Sequence, residues 1–253
     1  MDTLHRLYAK QQIEARFNEY VKGLKPRAHV ASAHDGREGD WLTRRMGLEV
    51  NGNNEPDFLG FEMKKDSKGK TSFGDWSPNS ALYKSSEIDR DGFLRLFGSP
   101  NPLKGDRYSW SGSVFPKVDR WNEYGQRLFI DQENNITARY RHSMNRVSAD
   151  RMPIDFHIEN LELAFWSAEP IGAQKGLRSK VEDKFNVFGW FRCLKDAAGF
   201  YSRLQFGGPV TFADFMTLFR SGEIFIDCGM YEGNPRPYMH FRANNTVWDL
   251  LAE

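Results

Sequence analysis

Two stretches, QRLFIDQENNITARYRH and GWFRCLKDAAGFYSRLQFG, constrain the fold most. Each reads as two strand-like runs joined by a short polar turn, the pattern of a β-hairpin. Hairpins join neighbouring strands antiparallel, so a purely parallel sheet is excluded. Helical spacing is interspersed with them. Ile13, Phe17, Tyr20, Val21 and Leu24 recur at helical intervals, and Gly23 with Pro26 ends that run. In DWLTRRMGL, Trp41, Leu42, Arg45 and Met46 follow the same spacing, with Asp40 as the expected N-cap. LRSKVEDKF and TFADFMTLFRSGE read as helices, the second with Thr211 as N-cap. IENLELAFW alternates through Leu161, Leu163 and Phe165, and IFIDCGMYEG is a strand that ends in a glycine turn. DSKGKTSFGDWSPNS reads as a polar loop. Phe93 to Lys117 reads as an irregular loop pinned by Phe97, Tyr108, Trp110 and Phe115. The expected class is α/β or α+β.

Composition narrows the setting. The net charge of +1 announces no polyanion partner by itself, so local charge has to carry any such argument. Cys193 and Cys228 have no metal-site spacing and fit a reducing interior. No apolar stretch approaches membrane-spanning length, and the N-terminus lacks an apolar signal core. A cytoplasmic protein with no membrane partner is expected.

The most chemically suggestive run is PDFLGFEMKK, Pro56 to Lys65, entered from the turn-rich EVNGNNEPD. On a strand, residues two apart share a face. Glu62 and Lys64 then point together, Phe61 and Met63 point to a core, and Asp57 enters from the turn end. Two carboxylates suit Mg²⁺, which binds one or two of them together with water and phosphate oxygens. The backbone carbonyl of Met63 lies between the two charged side chains as a further ligand. Lys64 is placed to orient a water or to stabilise charge on a scissile phosphate. The plainer alternative is a surface strand with an acid–lysine pair and a turn aspartate, since short motifs recur by chance.

The tail NPRPYMHFRANN spaces Arg236, Tyr238, His240 and Arg242 by two, so an extended segment would present all four on one face. Arginine can read guanine in the major groove, and histidine can bond a base edge. Double-stranded DNA is the partner this suggests, against an edge strand kept soluble by charge. Arg178 and Lys180 in GLRSKVEDKF add two further DNA-binding candidates, whereas Lys184 reads as part of a solvated helix face. His34 and His142 read as ordinary surface or loop histidines. Trp110 and Trp121 read as packing residues.

Asp57, four intervening residues, then Glu62, Met63 and Lys64 resemble the PD-(D/E)XK nuclease signature. The local form PDFLGFEMK resembles the MvaI/BcnI family of type II restriction endonucleases and their relatives in mismatch-repair nicking. GREGDWLTRRMG, RYSWSG, EDKFNVFGWF and IDCGMYEGNPRPYMHFRANN are similar to other blocks of that group, so the likeness runs from Gly36 to Trp248. The resemblance implies a restriction-endonuclease-like core, with a mixed central β-sheet flanked by helices and two lobes forming a DNA cleft. The lobes would be catalytic over 1–150 and DNA-recognising over 151–253. It implies Mg²⁺-dependent, sequence-specific hydrolysis of phosphodiester bonds in double-stranded DNA. The catalytic residues would be Asp57, Glu62 and Lys64, and the metal ligands Asp57, Glu62 and the Met63 carbonyl. It also implies a monomer with one active site and a short, GC-rich, near-palindromic target. One departure stands out: relatives often carry a glutamate where this chain has Thr43, which leaves Glu38 or Glu49 to replace it. A strand-nicking repair endonuclease, and a DNA-binding protein with an inactive nuclease core, are the competing readings.

Overall fold

The computed structural model describes residues 2–26, 35–50 and 53–253. His34 and the Asn-Gly turn at 51–52 lie outside the described residues. The chain's contacts divide it into two compact units. The first holds Met1–Thr71, Lys180–Phe212 and Asn244–Glu253, and the second holds Ser72–Ser179 and Ala213–Ala243. The units interleave along the sequence, where a single boundary after residue 150 was expected.

In the first unit, strand β1 (Phe61–Lys65) pairs parallel with β9 (Gly189–Lys195), and β9 pairs antiparallel with β10 (Tyr201–Gly207). The second of these pairings is the expected hairpin. The three strands make a mixed sheet in the order β1–β9–β10, so β1 is an edge. Helix α1 (Asp2–Tyr20) buries Ala9, Ile13 and Phe17, with Val21 just beyond it, one residue per turn along a single stripe. They join one core cluster with Phe61 and Met63 of β1 and with Phe191 and Cys193 of β9. Helix α2 (Asp35–Arg45) adds Leu42, and Met46 follows it. Asp40 lies inside α2 rather than capping it, because the helix begins at Asp35. Tyr20, on the first helix's stripe by spacing alone, is exposed.

The second unit is built on two sheets. One has the order β2–β12–β11–β5–β4, in which β11 is Ile224–Tyr231, and the other β3–β8–β7–β6. The pairings β12–β11–β5–β4 and β3–β8–β7–β6 are antiparallel throughout. The expected first hairpin is β6 (Tyr124–Ile130) with β7 (Ile136–Asn145). Its turn is fixed by the Asp131 carboxylate, which accepts from the Asn135 N–H at 2.8 Å, and by Asn134 at a φ of 67°. Strand β8 is Leu161–Trp166, and β3 is the short pair Ser80–Ala81.

Two segments expected as loops are ordered elements. Strand β2 (Lys70–Asp75) lies within the expected polar loop, and β12 (Tyr238–Asn244) supplies the pairing that local sequence does not show. The stretch from Phe93 to Lys117 carries most of helix α3 (Arg90–Phe97), β4 (Ser99–Asn101) and β5 (Arg107–Ser111). Asp89 caps α3 by accepting from the Gly92 N–H at 2.7 Å. Trp110 is fully buried and donates to Gln126 Oε1 at 2.6 Å, which bears out a packing role for it. Helix α5 (Phe212–Arg220) sets Phe215 against Phe73, Trp76 and Phe241. Both cysteines are buried and free, and no helix among the described residues is long and apolar enough to cross a membrane. The fold is α+β, with several sheets flanked by helices.

Candidate active site

The Pro56–Lys65 run does not simply leave a turn as a strand. Phe58 and Phe61 exchange both backbone hydrogen bonds, at 3.0 and 2.9 Å, around Leu59 and Gly60. Those two residues have φ of 48° and 85°. Two consecutive left-handed residues make the tight hairpin turn of type I′. Gly60 is required twice over: its φ disfavours other residues, and a Cβ there would lie 2.6 Å from the Phe188 ring. Leu59 holds its left-handed backbone without that freedom, at a cost of roughly 1–2 kcal/mol. The reversal brings Asp57 back alongside β1, where its Oδ2 accepts from the Met63 N–H at 2.9 Å. In an extended strand the N–H and C=O of one residue point to the same edge. The Met63 carbonyl is therefore turned to the open edge of β1, on the Asp57 side.

Glu62 is only 3% exposed. Its Oε1 accepts from Lys64 Nζ at 2.8 Å and lies 3.1 Å from Lys184 Nζ. Its Oε2 is buried with no hydrogen-bond partner. Lys64 shares the Glu62 face of the strand, and its ammonium stands 5.1 Å over the Phe185 ring. Lys184 comes from α4 (Leu177–Phe185) and is 17% exposed. The expected solvated helix face is thus corrected for this residue. Asn54 Nδ2 donates to the Lys180 carbonyl at 2.7 Å, so the turn before β1 is tied to α4 one helical turn before Lys184.

Electrostatics follow from this crowding. Burial pushes the Asp57 carboxyl up to about 7, the Glu62 charge adds to the rise, and the Met63 N–H opposes it. Burial pushes the Lys64 ammonium down. Glu62 pulls it back up, and Lys184 pushes it further down.

The group implied by the motif is a divalent cation. Among the described residues no set of three or more His, Cys, Asp or Glu side chains converges on a metal position. The residues that would hold such an ion are Asp57, Glu62 and the Met63 carbonyl, with water or phosphate oxygens to complete the shell. The residues fit such an ion. A buried Glu62 oxygen that no N–H or hydroxyl reaches, beside an Asp57 carboxyl that burial and the Glu62 charge hold back from ionising, would be stabilised by a cation. Thr43 adds nothing to it, since its hydroxyl donates to the Gly39 carbonyl at 3.0 Å. Glu38 accepts from the Tyr201 hydroxyl at 2.8 Å and pairs with Lys195, and Glu49 is exposed.

The other sequence candidates fall in several places. Tyr238, His240 and Arg242 share one face of β12, opposite the buried Met239, Phe241 and Ala243. That strand lies between β2 and β11, so it is interior to its sheet rather than an edge. His240 Nδ1 is 3.1 Å from the Ser72 hydroxyl, and Tyr238 and His240 rings are 4.8 Å apart. Arg242 pairs with Asp227 at 3.3 Å. Arg236 is not on the strand. It is exposed in the bend before it, and its N–H donates to Asn234 Oδ1 at 3.0 Å. Arg178 Nε donates to Glu169 at 2.7 Å in the second unit, whereas Lys180 belongs to the first. His142 stacks on His157 at 3.9 Å, and Trp121 packs edge-on against Phe129.

A family model described as LlaMI restriction endonuclease matches residues 21–253. The chain belongs to the LlaMI restriction endonuclease family. It is 37% identical over 261 residues to "Type II restriction enzyme ScrFI" of Lactococcus lactis subsp. cremoris, covering 96% of each chain. The protein is a site-specific deoxyribonuclease of the type II restriction class. The solved structure titled "Restriction endonuclease MvaI-cognate DNA substrate complex" superposes with a TM-score of 0.61 at 13% identity, covering 98% of this chain and 96% of that one. That likeness establishes the fold. Type II restriction endonucleases are generally metal-dependent.

Proposed function

We propose that Asp57, Glu62 and Lys64 form the Mg²⁺-dependent cleavage site of this restriction endonuclease, acting on double-stranded DNA. One observation carries the proposal: the buried, unpartnered Oε2 of Glu62 beside a carboxyl whose pKa burial has raised. Asp57, Glu62 and the Met63 carbonyl would hold a divalent cation, which when bound would supply an acidified water and draw charge from a phosphoryl oxygen. Glu62 Oε1 fixes the Lys64 ammonium, which is available to the charge that develops on the attacked phosphate. Hydrolysis adds water across one phosphodiester bond, and the burial of Glu62 and Lys64 strengthens each of these interactions. The enzyme works as a cytoplasmic monomer that cuts the two strands in succession at one site. Plasmid digestion tests this. Discrete fragments with MgCl₂ and none with EDTA are expected; smearing, or digestion that survives EDTA, would contradict it.

Recognition is assigned to the second unit, with the first carrying cleavage. Tyr238, His240 and Arg242 line one face, and Arg236 projects from the bend beside them. Arg242 is held by Asp227, so Arg236 and His240 are the base readers in this reading, with Arg178 and Lys180 on phosphates. Arg236→Ala and His240→Ala are each expected to cost about 1–3 kcal/mol and to relax discrimination at one base pair. Binding of single-base-substituted duplexes across a salt series distinguishes this from phosphate contact, which weakens all sequences alike and lowers the salt slope by about one unit. Unchanged affinity and discrimination in both variants would move recognition elsewhere.

A further inference from the structure

The motif accounts for one lysine at Glu62, yet the structure places two there. Lys64 and Lys184 both reach Oε1, at 2.8 and 3.1 Å, and leave Oε2 bare. Lys184 is not a swinging surface side chain. Its helix is seated through the buried Val181 and Phe185, the latter 6.2 Å from Trp248. Glu182 Oε1 accepts from the Phe212 N–H at 3.3 Å, and Asn54 holds the Lys180 carbonyl. These contacts fix the helix, and the pairing with Glu62 fixes the ammonium.

We propose that Lys184 is a positioning residue of the cleavage site, holding Glu62 by Oε1 so that Oε2 stays turned to the cation position. The proposal rests on the reading of Asp57 and Glu62 as the cation ligands. Two consequences follow from its charge and its place. With Asp57 ionised, the formal charges of Asp57, Glu62, Lys64 and Lys184 cancel, so the cation enters a site with no net charge. Removing Lys184 leaves that site one charge more negative, which favours a divalent cation. It also frees the Glu62 carboxylate to rotate about its remaining contact with Lys64, and misplacement of a first ligand slows reaction. Tighter cation binding with slower cleavage is a combination that a merely structural role would not produce.

The test uses the full-length chain, Mn²⁺ as the probe and the electron paramagnetic resonance signal of free Mn²⁺ as the binding readout. Lys184→Met is expected to bind Mn²⁺ roughly three- to tenfold more tightly. Its single-turnover cleavage in saturating Mg²⁺ is expected to fall about tenfold. Lys184→Arg should stay within about threefold of the parent in both, since it restores charge and reach. If Lys184→Met leaves both quantities unchanged, Lys184 is only a helix-face charge and the proposal fails. If it weakens Mn²⁺ binding and lowers the thermal midpoint together, its role is structural and the proposal also fails. Glu62→Gln serves as the separate control: parental Mn²⁺ binding and cleavage in that variant would overturn the ligand reading itself.

Discussion

Asp57→Asn is expected to abolish cleavage while making the metal-free protein more stable at pH 8. The asparagine Oδ1 keeps the hydrogen bond from the Met63 N–H, so the turn survives. What is lost is a negative charge that the fold holds at a cost. The Asp57 carboxyl sits at about 7 in the folded protein, against 3.8 as its ordinary value, first because it is buried and second because Glu62 is charged. Between those two values the folded chain binds a proton that the unfolded chain has released, so stability falls as pH rises through that window. Above about 7 the cost is complete. Below about 4 it is absent. Allowing for partial solvent screening, the variant should gain about 1–3 kcal/mol at pH 8, or several degrees in thermal midpoint. The gain should shrink as pH falls from 7 towards 4. Mg²⁺ should stabilise the parent and not the variant. Cleavage should drop by at least about three orders of magnitude. A variant that cleaves normally, or one that is less stable than the parent at pH 8, would contradict the electrostatic description of the site.

Lys64→Ala carries the second large effect. The Lys64 ammonium is largely buried, bonded to Glu62 and seated over Phe185. Its single-turnover rate should fall by roughly two or more orders of magnitude, the scale on which a preorganised charge acts at a reacting centre. Duplex binding in Ca²⁺ should fall far less, because unit-two residues are assigned to recognition. A variant whose only defect is weak binding would make Lys64 a phosphate clamp.

The geometry of the proposed catalytic run was legible because its determinants are local. Period-two spacing put Glu62 and Lys64 on one face and Phe61 with Met63 on the other, and the structure has both. The Leu59–Gly60 reversal was not read, although glycine followed by strand residues is the signal that could have shown it. Lys184 could not be read in the same way. It reaches Glu62 only because α4 is seated beside β1, and its neighbours Glu182 and Asp183 give the composition of a solvated face. The same non-local dependence hid β2, whose alternation of Thr71 and Phe73 is masked by glycine, serine and lysine until β12 pairs with it. Helix α3 was missed for a different reason. Its capping signal, Asp89 before Arg-Asp-Gly, is in the sequence, but the surrounding prolines and glycines outweighed it. Arg236 left the expected strand because the Asn234 side chain captures its N–H in a turn.

Glu62→Gln tests the central claim most directly, because it keeps the shape of the residue and removes the charge on which Lys64, Lys184 and the cation all depend. Single-turnover cleavage of plasmid DNA in MgCl₂ is the measurement, with duplex binding in Ca²⁺ and the thermal midpoint as controls. The predicted result is loss of cleavage by at least about three orders of magnitude, with folding intact and binding within a few-fold of the parent. Cleavage within about tenfold of the parent would show that Glu62 is not part of the cleavage site.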